Sequence, residues 1–363
     1  MKAGWELYLT ATGRPSAIVG GRGTLELAAE RAAWLGDQKR RCYLLTDSNV
    51  DEAWGEAVRG RLGPCLQGSV VLEPGEPTKS LAVAGRVFEI LAEAGARRDD
   101  VVVALGGGVI GDLAGFVAAT YQRGVDFWQI PTSLVAQVDS SVGGKVGLNL
   151  AAGKNLVGAF YQPDHVFIDS NLLSTLPREE LVNGLGEVVK YGLLVGEELL
   201  GQIERSAKAL LAADPNSLDT LIRECVEYKA LVVEADEREA GRRAVLNLGH
   251  TTAHALELLD GYEGISHGRA VALGLLVALS ASEEVFGLDA DVRERVAGLL
   301  AALELPVKLP GIESAAVLEA AGRDKKVSSQ GRGFVLLRGP GHPVTGVDLT
   351  DDQFAAALEK VMA

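Results

Sequence analysis

The chain has 363 residues, 47% of them hydrophobic, which exceeds one ordinary core and makes two domains the expectation. Its formal net charge of −14 excludes a polyphosphate partner such as nucleic acid, whose binding needs a basic surface that this composition lacks. Cys42, Cys65 and Cys225 are few, odd in number and far apart, so neither a disulfide framework nor a thiolate cluster is expected, and a reduced, cytoplasmic setting is.

The opening MKAGWELYLTATG lacks the apolar core of a secretory leader, and the longest apolar stretch, near AVALGLLVALSA, is too short to span a bilayer. Next, short β-branched runs alternate with Ala-rich amphipathic ones. CYLLTD predicts a strand, DEAWGEAVRGRL a helix, SVVLEPG a strand, SLAVAGRVFEILAEAG a helix, and VVVALGGG and FWQIPTS two more strands. Such alternation reads as a parallel sheet with helices on its faces. RRDD at 97–100 reads as a solvated turn.

Past about Asn171 the spacing becomes helical, from LPREELVNGLGEVVKYGLL through to DDQFAAALEKVMA, so the second half is expected to be all-α. The boundary is set between 172 and 173. SNLLSTLP holds one proline and no low-complexity linker, which predicts a shared cleft between the halves.

In VVVALGGGVIGDLAGF an apolar strand runs into Gly106, Gly107, Gly108, Val109, Ile110 and Gly111, which satisfies GxGxxG. Glycines there let the backbone approach a pyrophosphate at a helix N-terminus, although a tight strand-to-helix turn needs them too. Asp126, about twenty residues on, looks like the entry to another strand and is not given the ribose. Asp47, with Asn49, is better placed at the end of CYLLTDSNV, because strand C-termini in open α/β sheets face the ligand crevice. PGEPTKS adds Glu76 and Lys79 in a turn, and the set favours a dinucleotide.

The stretch YQRGVDFWQIPTSLVAQVDSSVGGKVGLNLAAGKN interleaves Arg123, Asp139, Lys145, Lys154 and Asn155 with small residues. Gly143 and Gly144 would allow close approach to a ligand, and the lysines supply point charges for phosphate or carboxylate. Lysines held in such motifs by an acidic protein imply a small anionic ligand. Farther on, His250, His254 and His267 fall within eighteen residues. His250 and His254, at i and i+4, would share a helix face, and Glu187 in GLGEVVKYGLL is the candidate carboxylate, with Lys190 one turn on. Two imidazoles, a carboxylate and an open position describe a catalytic zinc site.

From TDSNV at 46 to DKK at 324–326, through PGEPTKS, GGGVIGD, VDSSVGGK, GKN, GEVVKYG, LNLGHTTAH and SHG in order, the chain closely resembles the 3-dehydroquinate synthases, within the sugar phosphate cyclases. The resemblance implies an α/β fold with an N-terminal Rossmann-like NAD domain, residues 1–172. A helical metal- and substrate-binding domain, 173–363, would follow, with the active site between the two in a homodimer. It assigns Glu187, His250 and His267 to zinc or cobalt. Asp47, Asn49, Glu76, Lys79, Gly107, Gly108, Val109, Asp112, Thr132, Ser133, Lys145, Lys154 and Thr175 match positions that hold NAD. Arg123, Asp139, Lys145, Asn155, Lys190, Lys229, Glu239, Arg243, Asn247, His254 and one of Lys325 or Lys326 match the substrate-binding and catalytic set. Ser133, Thr252-Ala253 and Arg269 depart from the family's usual residues.

That resemblance further implies a shikimate-pathway reaction on 3-deoxy-D-arabino-heptulosonate 7-phosphate, a small anion with carboxylate and phosphate. The C5 hydroxyl is oxidised by NAD, phosphate leaves by β-elimination, the ketone is reduced, and ring opening and aldol closure give 3-dehydroquinate. Lys145, Lys190, Lys229, Arg243 and the Lys325/Lys326 pair form the expected anion clamp. Alternatives are cyclases of the 2-epi-5-epi-valiolone or 2-deoxy-scyllo-inosose type and metal-dependent polyol dehydrogenases. Lys229, Arg243 and Asn247 together favour the carboxylate-bearing substrate, and the dehydrogenases lack the VDSSVGGK and GKN combination.

Overall fold

The β-branched runs of the first half become strands because both of their faces are apolar, as a parallel sheet covered by helices requires. The computed structural model describes residues 4–10, 12–261, 264–309, 311–325 and 333–362. Two units are distinguished, one of residues 1–177 with 218–238, the other of 178–217 with 239–363.

In the first unit β1 (Trp5–Leu9) and β2 (Ser16–Gly20) form an antiparallel pair, followed by α1 (Leu25–Asp37) and β3 (Cys42–Asp47). Then come α2 (Ser48–Val50), α3 (Glu56–Leu62), β4 (Leu66–Leu72), α4 (Leu81–Glu93), β5 (Val101–Gly106), α5 (Gly108–Thr120) and β6 (Asp126–Pro131). A separate antiparallel pair, β7 (Lys145–Leu150) and β8 (Gly153–Phe160), precedes β9 (His165–Ile168). Among the described residues the main sheet has seven strands in the order β1-β2-β9-β6-β5-β3-β4, parallel except for β1 against β2.

Register decides which side chains meet on each face. Leu44 pairs with Val103, Val103 with Trp128, and Trp128 with His165, so one row crosses four strands. On that face Leu44, Val103 and Trp128 pack with Leu25 and Leu35 of α1. One residue along, Tyr43, Leu45, Val102 and Phe127 point the other way and pack with α4 and α5 through Val87 and Leu113. All six residues of β3, and all six of β5, are buried.

RRDD at 97–100, expected to be a solvated turn, is not simply solvated. Asp100 is 2% exposed, and its carboxylate accepts hydrogen bonds from Arg41 Nη2 at 2.7 Å and from the Arg97 backbone N–H at 2.8 Å. A turn that must be tied to the start of β3 buries its acid rather than exposing it.

The second unit contains α6 (Arg178–Val195) and α7 (Glu197–Leu211). Helix α8 (Pro215–Ala235) then joins the first unit from Leu218 onward, so the chain crosses between units three times where the sequence reading placed one boundary. There Glu237 Oε2 accepts from Gly13 N at 2.9 Å and Glu237 Oε1 from Gln162 at 3.0 Å. After it come α9 (His250–Leu259), α10 (His267–Phe286), α11 (Ala290–Ala302) and α12 (Ser314–Lys325), then β10 (Phe334–Leu337), β11 (Pro343–Val347) and α13 (Asp351–Met362). The β10–β11 ribbon is an addition to the expected all-α half; Leu337 N donates to Ser282 Oγ of α10 at 2.9 Å. AVALGLLVALSA lies in α10, buried along its whole length as the central helix of this unit. No helix among the described residues is long and apolar enough to cross a membrane.

His165 stacks on Phe167 and meets the edge of Trp128, with ring centroids 5.5 and 5.6 Å away. Burial, aided by the nearby Arg31, pushes its pKa down from 6.5 to about 4. The unfolded chain therefore binds a proton here that the folded chain refuses, so this contribution to stability is intact above pH 6.5 and is lost as pH falls towards 4. Urea melts across that range should show a shallower pH dependence for His165→Phe than for the parent. Parallel curves would contradict the assignment.

Candidate active site

Helix α6 carries Glu187 and Lys190 at i and i+3, on one face and almost fully buried at 0% and 1% exposure. Lys190 Nζ stands 2.5 Å from Glu187 Oε2. The other oxygen, Oε1, lies 2.9 Å from His267 Nε2 and 3.5 Å from His250 Nε2. The ligand atoms of Glu187, His250 and His267 all fall within 4.8 Å of one another.

Backbone contacts bring these three elements together. A Cβ on Gly186 would stand 2.3 Å from Gly268 O, and one on Gly268 only 1.7 Å from Asn183 O, so α6 and the first turn of α10 touch main chain to main chain. Asn183 Oδ1 also accepts from Gly268 N at 2.6 Å. One α10 turn and a half later, a Cβ on Gly274 would meet Gly249 O at 2.0 Å. Gly249 itself has φ +79°, a left-handed conformation that favours glycine, and it opens α9 directly before His250. The GLGE, LGH and SHG motifs are thus spacing devices as well as ligand carriers.

Protonation follows from the partners. His250 Nδ1 lies 3.1 Å from Leu248 O, which can only accept, so the proton sits on Nδ1 and Nε2 presents a lone pair. Burial, then the Lys190 charge, push its pKa down to about 3, so the ring is neutral. Burial would raise Glu187, but Lys190 and the hydrogen bond from His267 hold it well below the usual carboxylate range. For His267 burial acts downward, yet Glu187 and Glu257 outweigh it and raise the pKa to about 10. A neutral imidazole lone pair and a carboxylate oxygen facing each other at 3.5 Å repel unless a cation lies between them. Donors bound tetrahedrally at about 2.1 Å from one ion are separated by about 3.4 Å, so this donor set fits a divalent cation.

His254 is exposed; its ring lies 5.5 Å from that of His250, outside the three-residue cluster despite the shared helix face. Asn247 Nδ2 donates to Glu239 Oε1 at 3.0 Å, and Arg243 is buried at 2% exposure just upstream. Arg269 is half-buried, and its charge acts on Glu304. Lys325 closes α12, while Lys326 lies outside the described residues. A residue absent from the sequence reading, Glu257, is buried with Oε1 3.6 Å from His267 Nδ1. Its position two helical turns after His250, on the same face, was the available signal.

In the first unit Asp47 caps α2, its Oδ1 accepting from Asn49 N at 3.0 Å and Val50 N at 3.1 Å at the C-terminal end of β3. Gly107 caps α5, which Gly108 and Val109 begin; a Cβ on Gly107 would meet Ser133 Oγ at 3.3 Å. Thr132 N donates to Gly106 O at 3.0 Å, so the loop after β6 lies against the glycine turn. Lys79, 5% exposed, pairs with Asp112 Oδ2 at 2.5 Å, and Glu76 Oε1 accepts from Asn149 at 2.6 Å. Thr175 accepts from Trp54 Nε1 at 2.7 Å. Asp126 pairs with Arg14 and Arg40 at the head of β6.

An open cavity of about 480 Å³ is lined by Asp112, Lys145 and Asn155, with β7 and β8 supplying the last two. Lys154 is half-buried beside Asn155, whose N–H donates to Asn149 Oδ1 at 2.9 Å. Lys229 of α8, 6% exposed, pairs with the Asp139 carboxylate and donates to its carbonyl at 2.7 Å. Arg123 sits in a tight turn with φ +64°. Gly144 serves chain packing: a Cβ there would meet the Gln162 side chain at 2.8 Å.

Comparisons with known proteins agree over most of the chain. Family models described as 3-dehydroquinate synthase N-terminal and 3-dehydroquinate synthase C-terminal match residues 69–183 and 184–327. A 3-dehydroquinate synthase of Alkaliphilus metalliredigens is 40% identical over 353 residues, 97% of this chain and 98% of that one. Another, of Geobacter metallireducens, is 49% identical over 272 residues, 75% and 76% of the two chains. Among solved structures, 2-deoxy-scyllo-inosose synthase complexed with carbaglucose-6-phosphate, NAD+ and Co2+ superposes with a TM-score of 0.85 at 25% identity, covering 98% of this chain and 99% of that one.

Because α6 and α10 meet through backbone, Gly268→Ala should lower the stability of the chain by about 1–3 kcal/mol through overpacking. It should also weaken divalent-metal binding by moving His267 away from Glu187. Urea unfolding and chelator competition measure the two effects. Parental values in both would show that the contact does not set the geometry.

Proposed function

We propose that this chain, which belongs to the 3-dehydroquinate synthase family, uses NAD and one divalent cation to convert 3-deoxy-D-arabino-heptulosonate 7-phosphate into 3-dehydroquinate and phosphate. The observation that carries this reading is the convergence of the Glu187 carboxylate, with His250 Nε2 at 3.5 Å and His267 Nε2 at 2.9 Å, beside a buried lysine. On the same reading the chain works in the cytoplasm as a homodimer.

In this proposal Glu187, His250 and His267 hold zinc or cobalt. When bound, the cation supplies Lewis acidity towards the substrate hydroxyls and NAD supplies a hydride acceptor. Asp47, Asn49, Glu76, Lys79, Asp112, Thr132, Ser133, Lys154, Thr175 and the Gly107–Val109 turn hold the dinucleotide, with the amides that open α5 facing the pyrophosphate. The substrate carries a carboxylate and a phosphate, and Lys145, Lys190, Lys229, Arg243 and Lys325 or Lys326 are the cations that meet them.

Two of these lysines lie against a neighbouring carboxylate, so the chain presents fixed positive charge at low cost in reorganisation. Lys229 is set by Asp139 and Lys190 by Glu187. Glu239 orients Asn247 through its hydrogen bond at 3.0 Å. Arg123, Asn155 and His254 complete the substrate set, His254 as a proton relay or phosphate contact.

Phosphate release from the heptulosonate phosphate should proceed with catalytic NAD, stop on chelation and return with zinc or cobalt. Steady accumulation of NADH would instead mark a dehydrogenase. Turnover of glucose 6-phosphate in place of the acid would mark a different cyclase. Lys190→Ala should reduce kcat by at least about 100-fold, and a parental rate would remove Lys190 from the chemistry.

A further inference from the structure

We propose that Glu257 is a positioning residue of the metal centre: it holds His267 by the Nδ1 edge of the ring, so that Nε2 is the nitrogen turned towards Glu187. This inference rests on the reading that Glu187, His250 and His267 ligate the cation.

An imidazole that ligates through Nε2 needs an acceptor for its Nδ1–H, which fixes both tautomer and ring angle. For His250 that acceptor is Leu248 O at 3.1 Å, and the ring is further immobilised by burial to 11% exposure. His267 lacks both restraints in that form. It is the first residue of α10 and its side chain is 33% exposed, so packing alone does not choose its rotamer. What the fold provides is a ring flanked by two carboxylates, Glu187 Oε1 at 2.9 Å from Nε2 and Glu257 Oε1 at 3.6 Å from Nδ1.

Burial makes the second carboxylate informative. Glu257 is only 8% exposed, and an anion withdrawn from water is retained where it serves a cation or a hydrogen-bond donor. It lies on α9 two turns beyond His250, so one helix delivers a ligand and the acceptor that sets the next ligand. At 3.6 Å the Glu257 contact is longer than a hydrogen bond, and a ring movement of under about 1 Å closes it.

Cobalt(II) titration of the full chain against a chromophoric chelator tests this, with Glu257→Leu, Glu257→Gln and His267→Ala beside the parent. Leucine removes the acceptor while filling the space, and should weaken cobalt binding roughly 10–100-fold. Glutamine keeps an acceptor oxygen and should stay within about threefold of the parent. Parental affinity in Glu257→Leu, or an equal loss in both Glu257 variants, overturns the proposal. Parental affinity in His267→Ala overturns the metal reading itself, which separates the two failures. Nitrogen-15 spectra of the zinc-loaded parent give a second measurement that needs no variant to fold. A slowly exchanging proton on His267 Nδ1 is expected, and ligation through Nδ1 contradicts the assignment.

Discussion

Helix α10 meets its neighbours through main chain where other helices would use side chains. Gly268 lies against Asn183 of α6, and Gly274 against Gly249 at the start of α9, each so closely that a single Cβ would collide with a carbonyl oxygen. That constraint places the three candidate ligands on three different backbones within one ion's reach. A larger residue at any of these glycines separates the helices, and ligand identity alone could not restore the geometry.

The charges in the site are costly and arranged to offset one another. Glu187 and Lys190 are both desolvated, and a buried pair of this kind contributes little net stability, because the loss of hydration roughly cancels the attraction. A site built for stability would place apolar side chains there. Retaining the pair is understandable if the carboxylate must be ionised and the ammonium fixed before any ligand arrives.

The same device recurs in the first unit. Lys79 with Asp112 and Lys229 with Asp139 are further lysines withdrawn from water and paired with one carboxylate each. A net charge of −14 is thus compatible with an anionic substrate, because the buried Lys79, Lys190 and Lys229 each have a local carboxylate partner.

Much of this was legible along the chain. The runs around Leu44, Val102 and Phe127 announced their strands because apolar residues on both faces need no distant information, and Asp47 and the Gly106–Gly108 turn fell at strand ends where a cofactor crevice belongs. Residue chemistry and motif order were enough to name the candidate ligands and the family. What stayed hidden depended on partners far apart in sequence. The burial of Asp100 follows from Arg41, the return of α8 to the first unit involves Glu237 with Gly13, and the β10–β11 ribbon is anchored on Ser282. Glu257 looked like one more acid on an amphipathic helix until His267 was set beside it. Local propensity and residue type therefore determined the elements and the chemistry on offer, whereas tertiary packing alone decided how closely His250 and His267 approach Glu187, because that approach depends on backbone contacts between separate helices.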